Sequence, residues 1–134
     1  FQSLNLIPYL SGFDNAVLGL RFSKARKNSV KDLAKTVASL ATQLGLPPDT
    51  LERTPSELSI GQQQRIAVIR AMLGYPALIL ADEPTSALDP VATQQFISEL
   101  NKSVDSSTQS VIVVSHDPEI IPLFDRVIEI EPAS

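Results

Sequence analysis

The chain has 134 residues and a mass of 14.5 kDa, and its 43% apolar and 19% charged side chains are the balance of one globular domain rather than of a disordered segment. A formal charge of −4 and an isoelectric point near 4.9 exclude a general electrostatic attraction to nucleic acid or anionic lipid. The sequence contains no cysteine, which excludes disulfide frameworks, thiolate catalysis and cysteine-ligated zinc. No apolar run reaches the roughly 20 residues of a membrane-spanning helix, and the first residues show no signal-peptide pattern.

The first part of the chain predicts helices. A short helix is expected over 11–20, and apolar residues at helical spacing predict a second one over 30–44, with a stop at Gly45. Basic residues at 21–31 lie between the two and are interpreted as a solvated turn and helix face. We therefore expect a small helical subdomain over about 11–60.

The second part of the chain, from about 61 to 134, predicts alternating helices and strands. A helix over 61–73 is apolar on nearly every side in its later half and must be buried. Strands are expected at 77–81, 110–115 and 126–130, with helices from Pro90 to about Leu100 and from Pro118. Because the first two strands are apolar throughout, they predict a parallel sheet covered on both faces. The fold class is therefore α/β with right-handed crossovers.

Polar residues follow two of the predicted strands directly. Asp82 and Glu83 come directly after the first strand, and Ser115, His116 and Asp117 lie at the end of the second. Ligands of parallel α/β sheets bind beyond the carboxyl ends of the strands, and a carboxylate pair there suits phosphoryl transfer, with one group for Mg²⁺ and one for water. Turn formation and helix capping are the alternative roles for the carboxylates, and a structural histidine is the alternative for His116.

A possible anion site precedes the buried helix. Ser59 and Gly61 lie at its start, where free backbone N–H groups and the helix dipole favour a phosphate. The alternative is that Ser59 only caps the helix.

Five motifs in this order along residues 1–117 resemble those of the nucleotide-binding subunits of ABC (ATP-binding cassette) transporters. They are a Q-loop at Phe1–Gln2, a signature at Leu58–Gln62, a Walker B strand at Leu78–Glu83, a D-loop at Ser86–Asp89 and a switch histidine at His116. Ile60 departs from the glycine that is commonest at its place in the signature. The resemblance implies a P-loop NTPase-like parallel sheet with a small helical subdomain, binding ATP and Mg²⁺.

The resemblance also implies roles within one subunit. Asp82 would hold the Mg²⁺ shell, Glu83 would be the general base, and His116 would contact the γ-phosphate and organise the water. Gln2 would sense Mg²⁺ and the nucleophile and would link the site to the membrane partner.

Other implied roles concern a second subunit. Ser59, Gly61 and Gln62 would serve the nucleotide bound mainly to that subunit, and Asp89 would lie along the dimer interface. The implied partners are thus a second nucleotide-binding subunit and transmembrane permease subunits, at the cytoplasmic face of the membrane, and no nucleic acid is expected.

One element of the family is missing from the sequence. None of the five glycines is followed by lysine, so there is no Walker A loop to hold the phosphates. We interpret the chain as an N-terminally truncated ABC ATPase domain, in which the strands at 77–81 and 111–114 would be partly uncovered. The fragment itself is expected to be inactive.

Two other classes of function stay open. ABC-type ATPases of DNA repair and chromosome maintenance share several of these motifs, although they commonly carry a long insert that the stretch between Gln2 and Leu58 has no room for. A non-catalytic ABC-fold regulatory module is the other, and the presence of Glu83 and His116 argues against it. Among transporters the sequence is most similar to the lipoprotein-release and macrolide-export types, with the amino-acid importers also compatible, so the cargo stays unassigned.

Overall fold

The computed structural model describes residues 4–130, with five α-helices and two β-strands. The elements are α1 (Gly12–Val17), α2 (Lys24–Ser29), α3 (Leu33–Gln43), α4 (Ile60–Met72), β1 (Leu78–Asp82), α5 (Pro90–Ser103) and β2 (Ser110–Val114). Shorter 3₁₀ helices span Leu18–Phe22, Pro48–Glu52, Pro55–Glu57 and Pro118–Leu123. The candidate sensor Gln2 lies outside the described residues.

The helical part is built around α4. Helix α1 packs against α4, and one apolar core joins α1 and α3 to the middle of α4. Fully buried side chains of this core include Val37 from α3 and Ile66 and Ile69 from α4. The expected helix over 30–44 begins only at Leu33, because the Asp32 carboxylate accepts a hydrogen bond from the Lys35 amide at 3.0 Å and caps the helix there.

The basic stretch at 21–31 departs from its interpretation in two ways. Its middle forms the helix α2, capped by the Ser23 hydroxyl. Arg26 is only partly solvated, because its guanidinium donates hydrogen bonds to carbonyl oxygens at the end of α4, including 2.9 Å from Nε to the oxygen of Leu73. The other basic residues of the stretch are exposed, as expected.

The described residues contain one sheet, in which β1 and β2 run parallel and α5 makes the crossover. Leu78 lies opposite Ser110 and Asp82 lies opposite Val114, so the two strands end together. The prediction of a third strand at 126–130 is wrong, since these residues are exposed and irregular. A strand needs a neighbour to pair its backbone groups, and no strand of the described part lies beside them.

The sheet is covered on one face only. Ile79 packs with Met72 of α4 and Leu100 of α5, whereas Leu80 and Ile112 on the other face are 70% and 51% exposed. The prediction of two covered faces is therefore wrong, because within residues 4–130 the helices lie on one side. The exposure agrees with the second expectation, that these strands would be partly uncovered. Among the described helices none is long and apolar enough to span a membrane.

Candidate functional site

The carboxyl ends of β1 and β2 bring the predicted carboxylates and the histidine to one edge of the sheet. Asp82 is the last residue of β1, and the backbone N–H of Glu83 donates to the carbonyl of Val114 at 2.8 Å. Glu83 then leaves the strand direction with a left-handed φ of 47°. This conformation is uncommon for a residue other than glycine and is enriched at functional sites, although Asn5 and Tyr75 of this chain adopt it too.

Glu83 and His116 form a close pair across the two strand ends. Glu83 Oε1 lies 2.7 Å from His116 Nδ1 and accepts a second hydrogen bond from the His116 backbone N–H at 3.2 Å. The glutamate side chain is 28% exposed and the imidazole 85%. The hydrogen bond to Glu83 and the negative charge of its carboxylate raise the pKa of His116 above its ordinary value.

The turn that follows Glu83 connects the pair to α5. The Ser86 N–H donates to the Glu83 carbonyl at 3.3 Å, and Thr85 is buried within the turn. The carboxylate of Asp89 accepts a hydrogen bond from the Ala92 amide at 2.9 Å and caps α5. Asp89 therefore has a local structural role, and its role at a dimer interface stays a prediction.

The predicted signature residues lie at the first turn of α4. The backbone N–H of Gln62 donates to Ser59 Oγ at 3.2 Å, and the backbone N–H of Ser59 donates to Gln62 Oε1 at 2.9 Å. These two reciprocal hydrogen bonds form a capping box. The capping role that was left open for Ser59 is thus observed. A Cβ added to Gly61 would lie 3.6 Å from Leu88 Cδ2, so this turn packs beside the turn that follows Glu83.

Sequence reasoning did not find the ion pair that joins α4 to α5. Arg65 Nε lies 3.0 Å from Glu99 Oε2, and the two side chains are only 14% and 13% exposed. The available signal was a charged residue within a helix predicted to be buried.

The described residues contain no group of three or more His, Cys, Asp and Glu side chains that could hold a metal ion. A Mg²⁺ ion at a nucleotide site needs only one or two carboxylates, because phosphates and water supply its other oxygen ligands. Asp82, at the end of β1, is a ligand of the right chemistry for such a site.

The sequence profile of the ABC transporter family matches residues 1–86 of this chain. The chain belongs to this family. It is 33% identical over 130 residues to the putative hemin import ATP-binding protein HrtA of Staphylococcus epidermidis, covering 97% of this chain and 57% of that protein. It is 40% identical over 129 residues to the spermidine/putrescine import ATP-binding protein PotA of Borreliella afzelii, covering 96% of this chain and 36% of that protein.

Solved structures confirm the fold class. The dimeric structure of MJ0796, a bacterial ABC transporter cassette, superposes on this chain with a TM-score of 0.73 at 32% identity, covering 92% of this chain and 53% of that one. A post-hydrolysis state of the same cassette, bound to ADP and Pi, gives a TM-score of 0.74 over the same shares. The helices and the parallel sheet of this chain are therefore those of an ABC ATPase cassette. The chain spans about half the length of the cassettes it matches.

Proposed function

We propose that this chain carries the signature helix, the Walker B strand, the D-loop and the switch histidine of an ATP-hydrolysing ABC transporter subunit. Residues 11–60 would be its helical subdomain, and 61–134 part of its catalytic core. The observation that carries the proposal is the 2.7 Å pair of Glu83 and His116 beside Asp82, in a chain of this family. The similarity to two import ATP-binding proteins supports the same assignment.

In this proposal Glu83 orients the attacking water and accepts its proton. His116 has a different task, because its Nδ1 already faces Glu83 and its ring is mostly exposed. A protonated imidazole donates from both ring nitrogens, so the other nitrogen is free to donate to a phosphate oxygen. The raised pKa of His116 favours this charged form, which attracts an anion.

Side chains of this chain would hold the magnesium ion, whereas the phosphates of the nucleotide need a separate loop. Asp82 would hold Mg²⁺, together with Gln2. The bound ion would neutralise charge on the phosphates. The acidic strand end alone repels a triphosphate. The proposed activity therefore needs a Walker A loop, which this sequence does not contain.

The remaining roles of the proposal involve other subunits. Ser59, Gly61 and Gln62, at the exposed start of α4, would face nucleotide held by a second copy, and Asp89 would lie near the same interface. The dimeric MJ0796 cassette supports this arrangement. Transmembrane permease subunits would complete the transporter at the cytoplasmic face of the membrane. The two relatives are named for different cargoes, hemin and spermidine/putrescine, so no cargo is assigned to this chain.

Steady-state hydrolysis by a cassette that joins a P-loop segment to this chain tests the proposal. Glu83→Gln should lower turnover by ~10²–10⁴-fold and leave ATP binding intact, because it removes the base but keeps the shape of the side chain. The matched control is Glu119→Gln, a carboxylate on the following 3₁₀ helix that does not contact His116, and it should hydrolyse ATP like the parent. Retention of more than about a tenth of parental turnover by Glu83→Gln would exclude Glu83 as the base.

The 134-residue chain gives a second test. Without the P-loop donors it should bind Mg-ATP with a dissociation constant weaker than roughly 100 μM, measured by titration calorimetry. Tighter binding would mean that the phosphate-binding groups lie elsewhere in the chain.

A further inference from the structure

Arg70, on the last turns of α4, holds the backbone of the N-terminal segment. Its Nη1 donates to the carbonyl of Asn5 at 2.9 Å, and its Nη2 donates to the carbonyl of Leu4 at 2.9 Å. The side chain is half-buried, and this burial lowers the pKa of Arg70. Two parallel N–H groups on two successive carbonyls use the fixed fork of a guanidinium, which a lysine ammonium does not reproduce.

The segment that Arg70 holds lies beside the candidate site. Asn5 has a left-handed φ of 49°. Leu4, Asn5 and Arg70 line the same cavity of about 460 Å³ as Asp82 at the end of β1. The segment is therefore one wall of the space next to the strand end, and in the sequence it begins two residues after Gln2 of the predicted sensor motif.

We propose that Arg70 is a positioning residue for hydrolysis, which fixes the backbone of residues 4–5 against the signature helix and so sets the wall that faces Asp82. This inference rests on the proposed ATPase function. Within residues 4–130, the side-chain hydrogen bonds shown for Arg70 go to the carbonyls of Leu4 and Asn5, so its effect would pass through the backbone it holds. Because the same helix begins at the signature, Arg70 also ties this wall to the end of α4 opposite Ser59.

The same turn of α4 offers a matched control. Arg26 lines the same cavity as Arg70, and it donates to the carbonyls of Ala71 and Leu73, both at 2.9 Å, and to that of Arg70 at 3.1 Å. It caps the helix end, where a positive charge is favourable, but no hydrogen bond from its side chain to residues 4–5 is present in the described part. Arg26→Lys and Arg70→Lys therefore make the same chemical change at one helix end, and only the second releases the N-terminal segment.

ATPase kinetics of the P-loop-bearing cassette test the proposal. Arg70→Lys should lower kcat about tenfold or more, because a wall displaced by as little as 1 Å misaligns the reacting groups. The KM for ATP should stay within about twofold, since the phosphates are held by the P-loop. Arg26→Lys should leave kcat within about twofold at a similar loss of thermal stability. Equal effects on kcat from both variants, or no effect from Arg70→Lys, would overturn the positioning role.

Amide hydrogen exchange of the 134-residue chain keeps the inference separate from the ATPase function. The Ile7 amide donates to Asn15 Oδ1 at 2.7 Å, and the Leu10 amide donates to the Ile7 carbonyl at 3.2 Å, so both report on the N-terminal segment. Arg70→Lys should accelerate exchange at these two amides, and Arg26→Lys should not. If the parental cassette does not hydrolyse ATP, the proposed function fails and exchange alone decides whether Arg70 holds the segment. Unchanged exchange in Arg70→Lys would overturn the inference.

Discussion

Replacing Ser59 by alanine and by aspartate separates the two roles assigned to this side chain, helix capping and contact with a phosphate. Alanine removes the hydroxyl that accepts from the Gln62 amide at 3.2 Å. Aspartate keeps an oxygen that accepts the same hydrogen bond, but it adds a negative charge at the exposed start of α4. Both variants keep the second half of the capping box, because Gln62 Oε1 bonds the backbone N–H of residue 59.

The two variants are expected to show opposite effects. Ser59→Ala should lose folding stability, and Ser59→Asp should lose the ATP-dependent dimer. Loss of an N-cap hydroxyl costs about 0.5–2 kcal/mol, and since half of the box remains we expect about 1 kcal/mol for Ser59→Ala. Aspartate is an equally good cap and its charge suits the helix dipole, so Ser59→Asp should unfold within about 0.5 kcal/mol of the parent. A phosphate docking about 4 Å from that carboxylate would meet a repulsion of about 4 kcal/mol per unit charge, or about 10³-fold in affinity.

Two measurements, each with serine, alanine and aspartate at position 59, check these magnitudes. Urea unfolding of the 134-residue chain gives the free energy of unfolding of the parent, Ser59→Ala and Ser59→Asp. Sedimentation velocity of the P-loop-bearing cassette with ATP, on the Glu83→Gln background, gives the dimer fraction. We expect Ser59→Ala to lose stability but retain most of its dimer, and Ser59→Asp to keep its stability and remain monomeric. The bulky variant Ser59→Arg should likewise bind ATP as a monomer without forming the dimer.

An ATP-dependent dimer of Ser59→Asp as stable as that of the parent would refute the assignment of this turn to a partner's nucleotide. A loss of more than about 2 kcal/mol in the unfolding of Ser59→Asp would instead refute the capping argument.

Three further predictions concern other contacts. Glu99→Gln should lower the free energy of unfolding by about 1.5–3 kcal/mol in urea, because it leaves the Arg65 guanidinium without its 3.0 Å carboxylate partner in a nearly buried site. The imidazole of His116 should titrate by NMR above its ordinary pKa, and Glu83→Gln should bring this pKa down. Because the folded-state pKa is raised, the stabilisation from this pair is full below the unfolded-state pKa and is lost as pH rises through the folded-state pKa. Gly74→Ala should destabilise the chain by at least ~2 kcal/mol, since Gly74 has a φ of 83° and an added Cβ would lie 2.6 Å from the Cβ of Arg26.

Each of these predictions has a control. Glu52→Gln changes an exposed glutamate and should stay within about 0.5 kcal/mol of the parent, so a similar small effect for Glu99→Gln would show that its ion pair contributes nothing measurable. A pKa of His116 that does not respond to Glu83→Gln would contradict the observed pairing. Gly61→Ala places its Cβ 3.2 Å from the movable tip of Arg65 in a helix, so it should cost less than Gly74→Ala, and the reverse order would be inconsistent with the structure.

Local sequence patterns were sufficient for the elements that bury an apolar stripe. Helix α4 was expected over 61–73 and α5 from Pro90, and Phe96, Ile97 and Leu100 are buried as predicted. Glu83 and His116 come after two predicted parallel strands, and this position predicted one shared site. Parallel strands that pair in register end at the same edge of the sheet.

Apart from the start of α3, which the local Asp32 cap decides, the failures depend on the arrangement of distant parts of the chain. An apolar strand has the same sequence whether one or both of its faces are covered, so the exposure of Leu80 and the irregular course of 126–130 could not be predicted from periodicity. The hydrogen bonds of Arg26 and Arg70 to backbone carbonyls leave no trace in the spacing of residues. A guanidinium that binds the backbone is not distinguished by sequence from one that faces solvent.

The left-handed backbone conformation of Glu83 lowers folding stability at the same position that the proposed chemistry requires. Glycine adopts a φ of 47° without steric cost, whereas glutamate there costs about 1–2 kcal/mol. A library of this chain selected only for thermal tolerance should therefore accumulate glycine at position 83, with asparagine as the next most tolerated residue. Such clones would fold better than the parent while lacking the only carboxylate that contacts the imidazole within the described residues. Engineering of stability in a cassette built on this chain therefore needs a screen for turnover at every round, because one readily gained stabilisation lies at its proposed catalytic base.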